Sequence, residues 1–253
     1  MDKLLDAKII RENIKSEISG IEVFEKISST NSYGKSYLHN GGKTPALIIA
    51  EEQTEGRGRC GRSFFSPRST GLYMSILYFS KTSPELALLA TVTASVASAL
   101  AIEELSGRDV QIKWVNDLYI DGKKAGGILC EAVYLDGEMG IVIGIGINVS
   151  TCDFPEFDNN SPTSIGEVDR NLLAAKIYDN FMHYNEKDNF DRCLSEYEKR
   201  FYLLNRSISI HRPDGNVEHA TARGINSVGG LIVELENGRV EIIQSGEVTV
   251  REK

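Results

Sequence analysis

The chain has 253 residues, 41% of them hydrophobic and 25% charged, enough to bury the core of one large domain or of a large and a small one. Its 36 acidic residues against 28 Lys and Arg leave a net charge of −8, which argues against a general nucleic-acid binder, since such proteins need a broad basic face to displace counterions. No apolar run is read as reaching the roughly 18 residues of a membrane-spanning helix. The N-terminus "MDKLLDAKIIRENIKSEISG" is charged throughout, unlike a signal peptide, so the cytoplasm is the expected location.

In chain order, "PALIIAEEQ" reads as strand and loop. The next stretch, "GRGRCGRSFFSP" at 56–67, alternates Gly56, Gly58 and Gly61 with Arg57, Arg59 and Arg62. Glycines let a backbone approach a bound group closely, and planar guanidinium groups suit carboxylate and phosphate oxygens. The plainer alternative is a solvated basic turn. Cys60 lies between two of those arginines, which could lower its thiol pKa, but with no histidine nearby as base it is not expected to be a nucleophile.

"GLYMSILYFS" is a second strand. In "SPELALLATVTASVASALAIEELSG", Ser83 can cap a helix, Pro84 suits its first position, Glu85 favours its positive end and Gly107 ends it. Residues 110–149 then carry Asp121-Gly122 and Asp136-Gly137 between alternating apolar runs, the signature of hairpins, and predict a three-stranded antiparallel meander. A two-residue loop at 121 and 122 sets Tyr119 against Lys124, Asp117 against Gly126 and Asn116 against Gly127. Asp117 and Lys124 are then diagonal neighbours on one face. Gly126, Gly127, Gly144 and Gly146 mark either the close approach of a ligand or backbone, or a bulge that would shift this pairing.

Residues 150–168 are loop-like, and 171–201 read as helix broken near 187–190, with Phe181, His183 and Tyr184 as packing residues. From about Leu204 five short strands, with turns at Asp214-Gly215 and Asn237-Gly238, suggest a small barrel. The four cysteines and four histidines show no metal-ligand spacing, and all are expected to be free.

Taken together, "SSTN" at 28–31, the arginine loop, "KWVNDLYIDGKKAGGIL" at 113–129, "GIGINV" at 144–149 and "SGEVTVR" at 245–251 resemble the biotin protein ligases, in order and spacing. The resemblance implies an α+β fold: a mixed, largely antiparallel sheet with packed helices, like class II aminoacyl-tRNA synthetases, over 1–203, then an SH3-like β-barrel over 204–253. It implies a two-step reaction in which biotin's carboxylate attacks the α-phosphorus of ATP, giving biotinyl-adenylate, and a lysine of a biotin carboxyl carrier domain then takes the acyl group. Biotin, ATP and Mg²⁺ are the implied ligands.

Position by position, the resemblance implies that Ser29, Thr30, Asn31 and Gln53 hydrogen-bond the biotin head. Arg57, Gly58 and Arg59 would close over its carboxyl end and the adenylate phosphate, with Lys124 at the reacting carboxylate and Gly127 beside it. Asn116 and Asp117 fall on the nucleotide and magnesium side, Arg62 and Phe64 on the ATP side, and Asn148 near the ribose or adenine. Cys60, Val115 and Phe64 depart from the family's more usual arginine, proline and tryptophan; Val115 in particular leaves the Asn116 backbone less fixed. Only 28 residues precede Ser29, so no DNA-binding repressor domain is expected; nor is membrane association. A homodimer is expected, as for many relatives. The alternatives are a lipoate-type ligase and a biotin-binding sensor without turnover.

Overall fold

The computed structural model describes residues 4–80, 86–135, 137–155, 162–212, 215–244 and 246–250. The expected roles of Ser83, Pro84, Glu85, Asp136, Asp214, Ser245 and Arg251 lie outside the described residues.

Helix α1, Ala7–Asn13, starts where the Asp6 side chain accepts from the Lys8 and Ile9 amides. Strands β1 (Gly20–Phe24) and β2 (Ala46–Ala50) pair in parallel across helix α2 (Thr30–His39), the crossover that parallel strands require. Next come β3 (Gly71–Ser80), the long helix α3 (Leu86–Ser106), β4 (Gln111–Lys113), β5 (Asp117–Ile120), β6 (Lys123–Leu135) and β7 (Glu138–Asn148). Together they form a seven-stranded sheet in the order β1-β2-β3-β7-β6-β5-β4, antiparallel except for β1 and β2. Helices α4 (Arg170–Asn185) and α5 (Phe190–Lys199) follow, broken by a short turn at 187–189 as the sequence indicates.

The alternation of the strands sorts the core onto two faces. Leu47, Ile49, Leu72, Met74, Ile76, Ile141 and Ile143 pack with α3 and α4, while Ala46, Ile48, Leu77 and Val142 pack with Leu38 and Tyr37 of α2. The helices α3 and α4 thus bury one face, and α2 covers only part of the other. The uncovered remainder of that second face holds the site.

Three expectations change. The meander has four strands rather than three, because 111–113 form the short edge strand β4. Its first hairpin carries a bulge between Leu118 and Tyr119: Tyr119 faces Lys124 as expected, but Asp117 faces Gly127 and Leu118 faces Gly126. Ala125 is the extra residue, and Asn116 falls outside the strand. Finally, α3 is long and apolar enough, over Ala87–Ser106, to cross a membrane, with 67% of that stretch buried inside the protein. Its serines and threonines mask the run in the sequence; Thr91, Ser95 and Ser106 return their hydroxyls to carbonyls four residues back, at 2.7 to 2.8 Å, and so pack as nearly apolar groups.

The last strands, β8 (Ser207–His211), β9 (Val217–Ile225), β10 (Leu231–Leu235), β11 (Val240–Ile243) and β12 (Glu247–Val250), form a second antiparallel sheet in the order β11-β10-β9-β8-β12. The Trp114 indole donates to the Gly229 carbonyl at 2.9 Å, joining this sheet to the first. A buried ion pair ties the base of the large sheet to the helices: Arg170 at the start of α4 meets Glu51 after β2 at 2.7 Å, with side chains 2% and 3% exposed. Glu51 also accepts from the Leu5 amide at 2.5 Å.

Candidate active site

The floor is the sheet itself. Tyr73, Gly146, Gly127 and Asp117 are register partners in one row across β3, β7, β6 and β5, and Ser75, Gly144 and Leu129 form the next row on the same face. Three mid-strand glycines mark close approach, as one of the two sequence readings held. A Cβ on Gly144 would lie 2.3 Å from Asn31 Oδ1, one on Gly146 2.7 Å from the Phe64 ring, and one on Gly126 2.6 Å from the Gly146 carbonyl.

At one end stands the first turn of α2. Ser29 caps it, accepting from the Ser32 amide at 3.4 Å. The Thr30 amide donates to Gln53 Oε1 at 2.9 Å, and Gln53 Nε2 donates to Ser66 Oγ at 3.0 Å. Ser75 Oγ lies 2.8 Å from Thr30 Oγ1 and 2.7 Å from Asn31 Oδ1. Both Asn31 amide hydrogens are spent inside the protein, on the Leu129 carbonyl at 3.1 Å and on Glu131 at 2.9 Å. Asn31 is therefore a locked group that braces the wall.

The arginine loop forms a narrow tongue over this floor. Arg57 and Ser63 pair across it, Gly58 N donates to the Arg62 carbonyl at 2.7 Å, and Phe64 N donates to the Gly56 carbonyl at 2.8 Å. Its tip turns through Cys60 (φ 55°) and Gly61 (φ 74°), the left-handed region where glycine is at ease. Gly56 has to be glycine for another reason, since a Cβ there would meet the Phe64 carbonyl at 2.3 Å. The Arg59 guanidinium spans the cavity mouth, donating to Asn116 Oδ1 and to the Gly246 carbonyl of the second sheet, both at 3.0 Å. Arg57 pairs with Glu131 at 3.3 Å.

Opposite the tongue, Lys124 Nζ lies 2.5 Å from Asp117 Oδ1. The diagonal pairing expected from the sequence therefore holds, with the bulge supplying the register. Asn116, after the cis Trp114–Val115 peptide, is firmly anchored despite Val115: its carbonyl accepts from Ile128 N at 2.9 Å, and its side-chain amide donates to the Ile128 carbonyl at 2.8 Å.

These parts enclose a cavity of about 160 Å³. Its wall includes Ser29, Thr30, Asn31, Gln53, Arg57, Gly58, Arg59, Arg62, Phe64, Asn116, Asp117, Lys124 and Gly127, all but one of the residues singled out from the sequence. The exception is Asn148, buried at the end of β7, whose amide donates to the Thr163 carbonyl at 3.1 Å and so braces the loop behind Lys124. The sequence reading missed Lys113, Trp114, Gly246, Val248 and Thr249 on the wall, and Glu131 behind it. Burial by itself would raise the Glu131 carboxyl, but hydrogen bonds from Asn31 and Lys35 and the charges of Lys35 and Arg57 outweigh it and hold the group below its ordinary 4.5. The four cysteines are free; Cys60 and Cys152 are exposed, and burial pushes the Cys130 and Cys193 thiols up to about 12.

Asp117 is the one carboxylate on the cavity wall among the described residues, and it is paired with Lys124. No cluster of three or more His, Cys, Asp or Glu side chains suited to a metal occurs among the described residues. The donor set does not fit a metal held by the protein alone.

Residues 23–148 match the model of the biotin/lipoate A/B protein ligase family, and 203–251 match that of the biotin protein ligase C terminal domain. The chain is 31% identical to the bifunctional ligase/repressor BirA of Escherichia coli, over 98% of this chain and 79% of that one. It is 25% identical to the biotin--[acetyl-CoA-carboxylase] ligase of Mycobacterium tuberculosis, over 96% and 95%. Among solved structures, the biotin protein ligase of Aquifex aeolicus in complex with biotin and ATP superposes with a TM-score of 0.77 at 26% identity, over 93% of this chain and all of that one.

Proposed function

The chain belongs to the biotin/lipoate A/B protein ligase family, and on that premise we propose that it activates biotin with ATP and transfers it to a lysine of a biotin carrier protein. The observation that carries this reading is one cavity in which Arg57, Arg59 and Lys124 face a glycine floor beneath a tongue. Biotin and ATP are both anionic, and joining them requires cations aimed at the charge that develops on the phosphoryl oxygens.

In the first step a biotin carboxylate oxygen bonds to the α-phosphorus of ATP while the bond to the β-phosphate oxygen breaks, and pyrophosphate leaves. In the second the carrier lysine's amine bonds to the acyl carbon, AMP leaves and a proton is lost. Ser29, Thr30 and Gln53 receive the biotin head, with Asn31 bracing them. Arg57, Gly58 and Arg59 cover the carboxylate and phosphate, Lys124 stands at the reacting carboxylate beside Gly127, and Asn116, Asp117, Arg62 and Phe64 face the nucleotide. The tongue excludes water from an acyl phosphate that hydrolyses readily. Were ATP to carry Mg²⁺, Asp117 would be the carboxylate on the cavity wall available to it, and the ion would offset charge on the phosphates. Asn148, through its bond to Thr163, braces the 162–166 loop beside the nucleotide side.

A boundary near 203 and 204 is supported by the second sheet beginning at Ser207. Homodimerisation is supported by β1 being an edge strand paired on one side only, with β2, and sedimentation checks it. A cytoplasmic setting is supported by four free cysteines, and the absence of a DNA role by the net charge of −8.

The test is pyrophosphate release from ATP with biotin, lipoate or octanoate, with and without a carrier domain. Biotin-dependent release followed by carrier labelling is expected, and is lost in Lys124→Ala. Release with lipoate alone would move the chain to the lipoate branch, and biotin binding without release would leave a sensor.

A further inference from the structure

Glu131 lies on β6 just outside the cavity wall, yet its carboxylate gathers groups from two other elements. Asn31 Nδ2 donates to it at 2.9 Å and Lys35 Nζ at 3.0 Å, and Arg57 Nη1 lies 3.3 Å away. Asn31 and Lys35 are four residues apart on α2 and so share a face. Among the described residues Glu131 is the only ion-pair partner of Arg57; the backbone of the tongue is held by the Arg57–Ser63 pairing, so Glu131 is what fixes the direction of the Arg57 side chain. The carboxylate side chain is 20% exposed, so its two cations are only partly screened by water.

Building on the ligase reading, we propose that Glu131 is a positioning residue of the reaction, holding Arg57 of the tongue and Asn31 of α2 in register over the carboxylate end of biotin. The shared carboxylate makes the two ends of the biotin site one unit: the group that orders the α2 turn also fixes where the tongue comes down. Without its charge, Arg57 loses its anchor while Arg59 keeps its two bonds to Asn116 and Gly246, so biotin is held less well and the nucleotide side is left intact.

The experiment uses the full chain, with Glu131→Gln, Glu131→Asp, Lys35→Met, Arg57→Gln and the Glu131→Gln/Arg57→Gln pair. Trp114, the only tryptophan, lines the cavity, so its fluorescence titrated with biotin reads binding, and biotin-dependent ATP–pyrophosphate exchange reads turnover. Glu131→Gln is expected to raise the biotin Kd and KM about tenfold, the loss of one charge-assisted bond, with the ATP KM unchanged. Glu131→Asp recovers part of the loss, and Lys35→Met keeps biotin KM within about twofold because Arg57 stays paired. The double variant binds biotin no worse than Arg57→Gln alone by more than about threefold, since Glu131 acts mainly through Arg57. Wild-type biotin binding in Glu131→Gln would overturn the proposal, as would fully additive losses, or biotin and ATP KM rising together with an early melt. If the wild-type chain binds biotin but exchanges no pyrophosphate, the ligase reading fails, and the Trp114 titration still decides the role of Glu131.

Discussion

A single methyl group at Gly144 should disable the biotin end of the cavity. The Cβ of an alanine there would lie 2.3 Å from Asn31 Oδ1, 2.8 Å from its Cγ and 3.0 Å from its Nδ2, where ordinary contact begins near 3.4 Å. The Asn31 amide must retreat by about 1 Å to restore contact distance. It cannot do so and keep its bonds to Leu129, Glu131 and Ser75, which run from 2.7 to 3.1 Å. Overpacking costs about 1–3 kcal/mol, and the loosened hydrogen bonds about 1 more. For a chain of this size that lowers Tm by roughly 5–12 °C. Biotin affinity should fall by about tenfold to a hundredfold, because Asn31 braces Thr30 through Ser75 and Arg57 through Glu131. Gly127→Ala is the matched control for packing alone: its Cβ would meet Asp117 Oδ1 and Lys124 Cε at 3.4 Å, an ordinary contact, and should leave Tm within about 2 °C of the wild type. Trp114 fluorescence and thermal melts of both variants check this. A Gly144→Ala chain that melts and binds biotin like the wild type would refute the reasoning that these glycines exist for close approach.

Arg59→Gly removes the two bonds that span the cavity mouth and should let biotinyl-adenylate escape, with added bystander amines labelled at least about tenfold faster; unchanged labelling by mass spectrometry would count against retention by the tongue. Replacing Glu51 by Ala removes the carboxylate that faces the buried Arg170 guanidinium and should cost about 3–5 kcal/mol in denaturant unfolding, whereas a loss below about 1 kcal/mol would mean that water reaches the site. The Cys130 and Cys193 thiols, raised from 9.0 to about 12, are protonated in both folded and unfolded chains below pH 9. Above it only the unfolded chain ionises them, so stability should decline as pH rises from 9 towards 12, and replacing both by Ala should flatten that decline. At pH 8 a thiol reagent should modify Cys60 and Cys152 rapidly in the native chain and all four cysteines only after unfolding.

What the sequence disclosed, it disclosed through local rules. Asp121-Gly122 places the hairpin that brings Lys124 to Asp117, and mid-strand glycines announce where Asn31 and Phe64 come close. The bulge at Ala125 was the weak point, because one extra residue changes partners without changing composition. Strand β4 escaped notice at three residues, too short for any alternation to register. Helix α3 hid its apolar character in hydroxyls that bond to their own backbone. Glu131 went unremarked in the sequence, since its partners come from 96 and 100 residues earlier on α2 and from the tongue. The contact of Arg59 with Gly246 spans 187 residues, and no local pattern anticipates a partnership at that range.

The junction between the two sheets has an asymmetry. Two bonds across it, from Trp114 and from Arg59, end on backbone carbonyls, those of Gly229 and Gly246. A carbonyl cannot be deleted by point mutation, whereas either donor can. The donors of these two bonds belong to the large sheet's body, and the C-terminal side meets them with two glycines at positive φ, Gly229 (82°) and Gly246 (130°). A substitution at either turn therefore acts on docking through the backbone, by whether it still presents its oxygen to the same tryptophan or arginine.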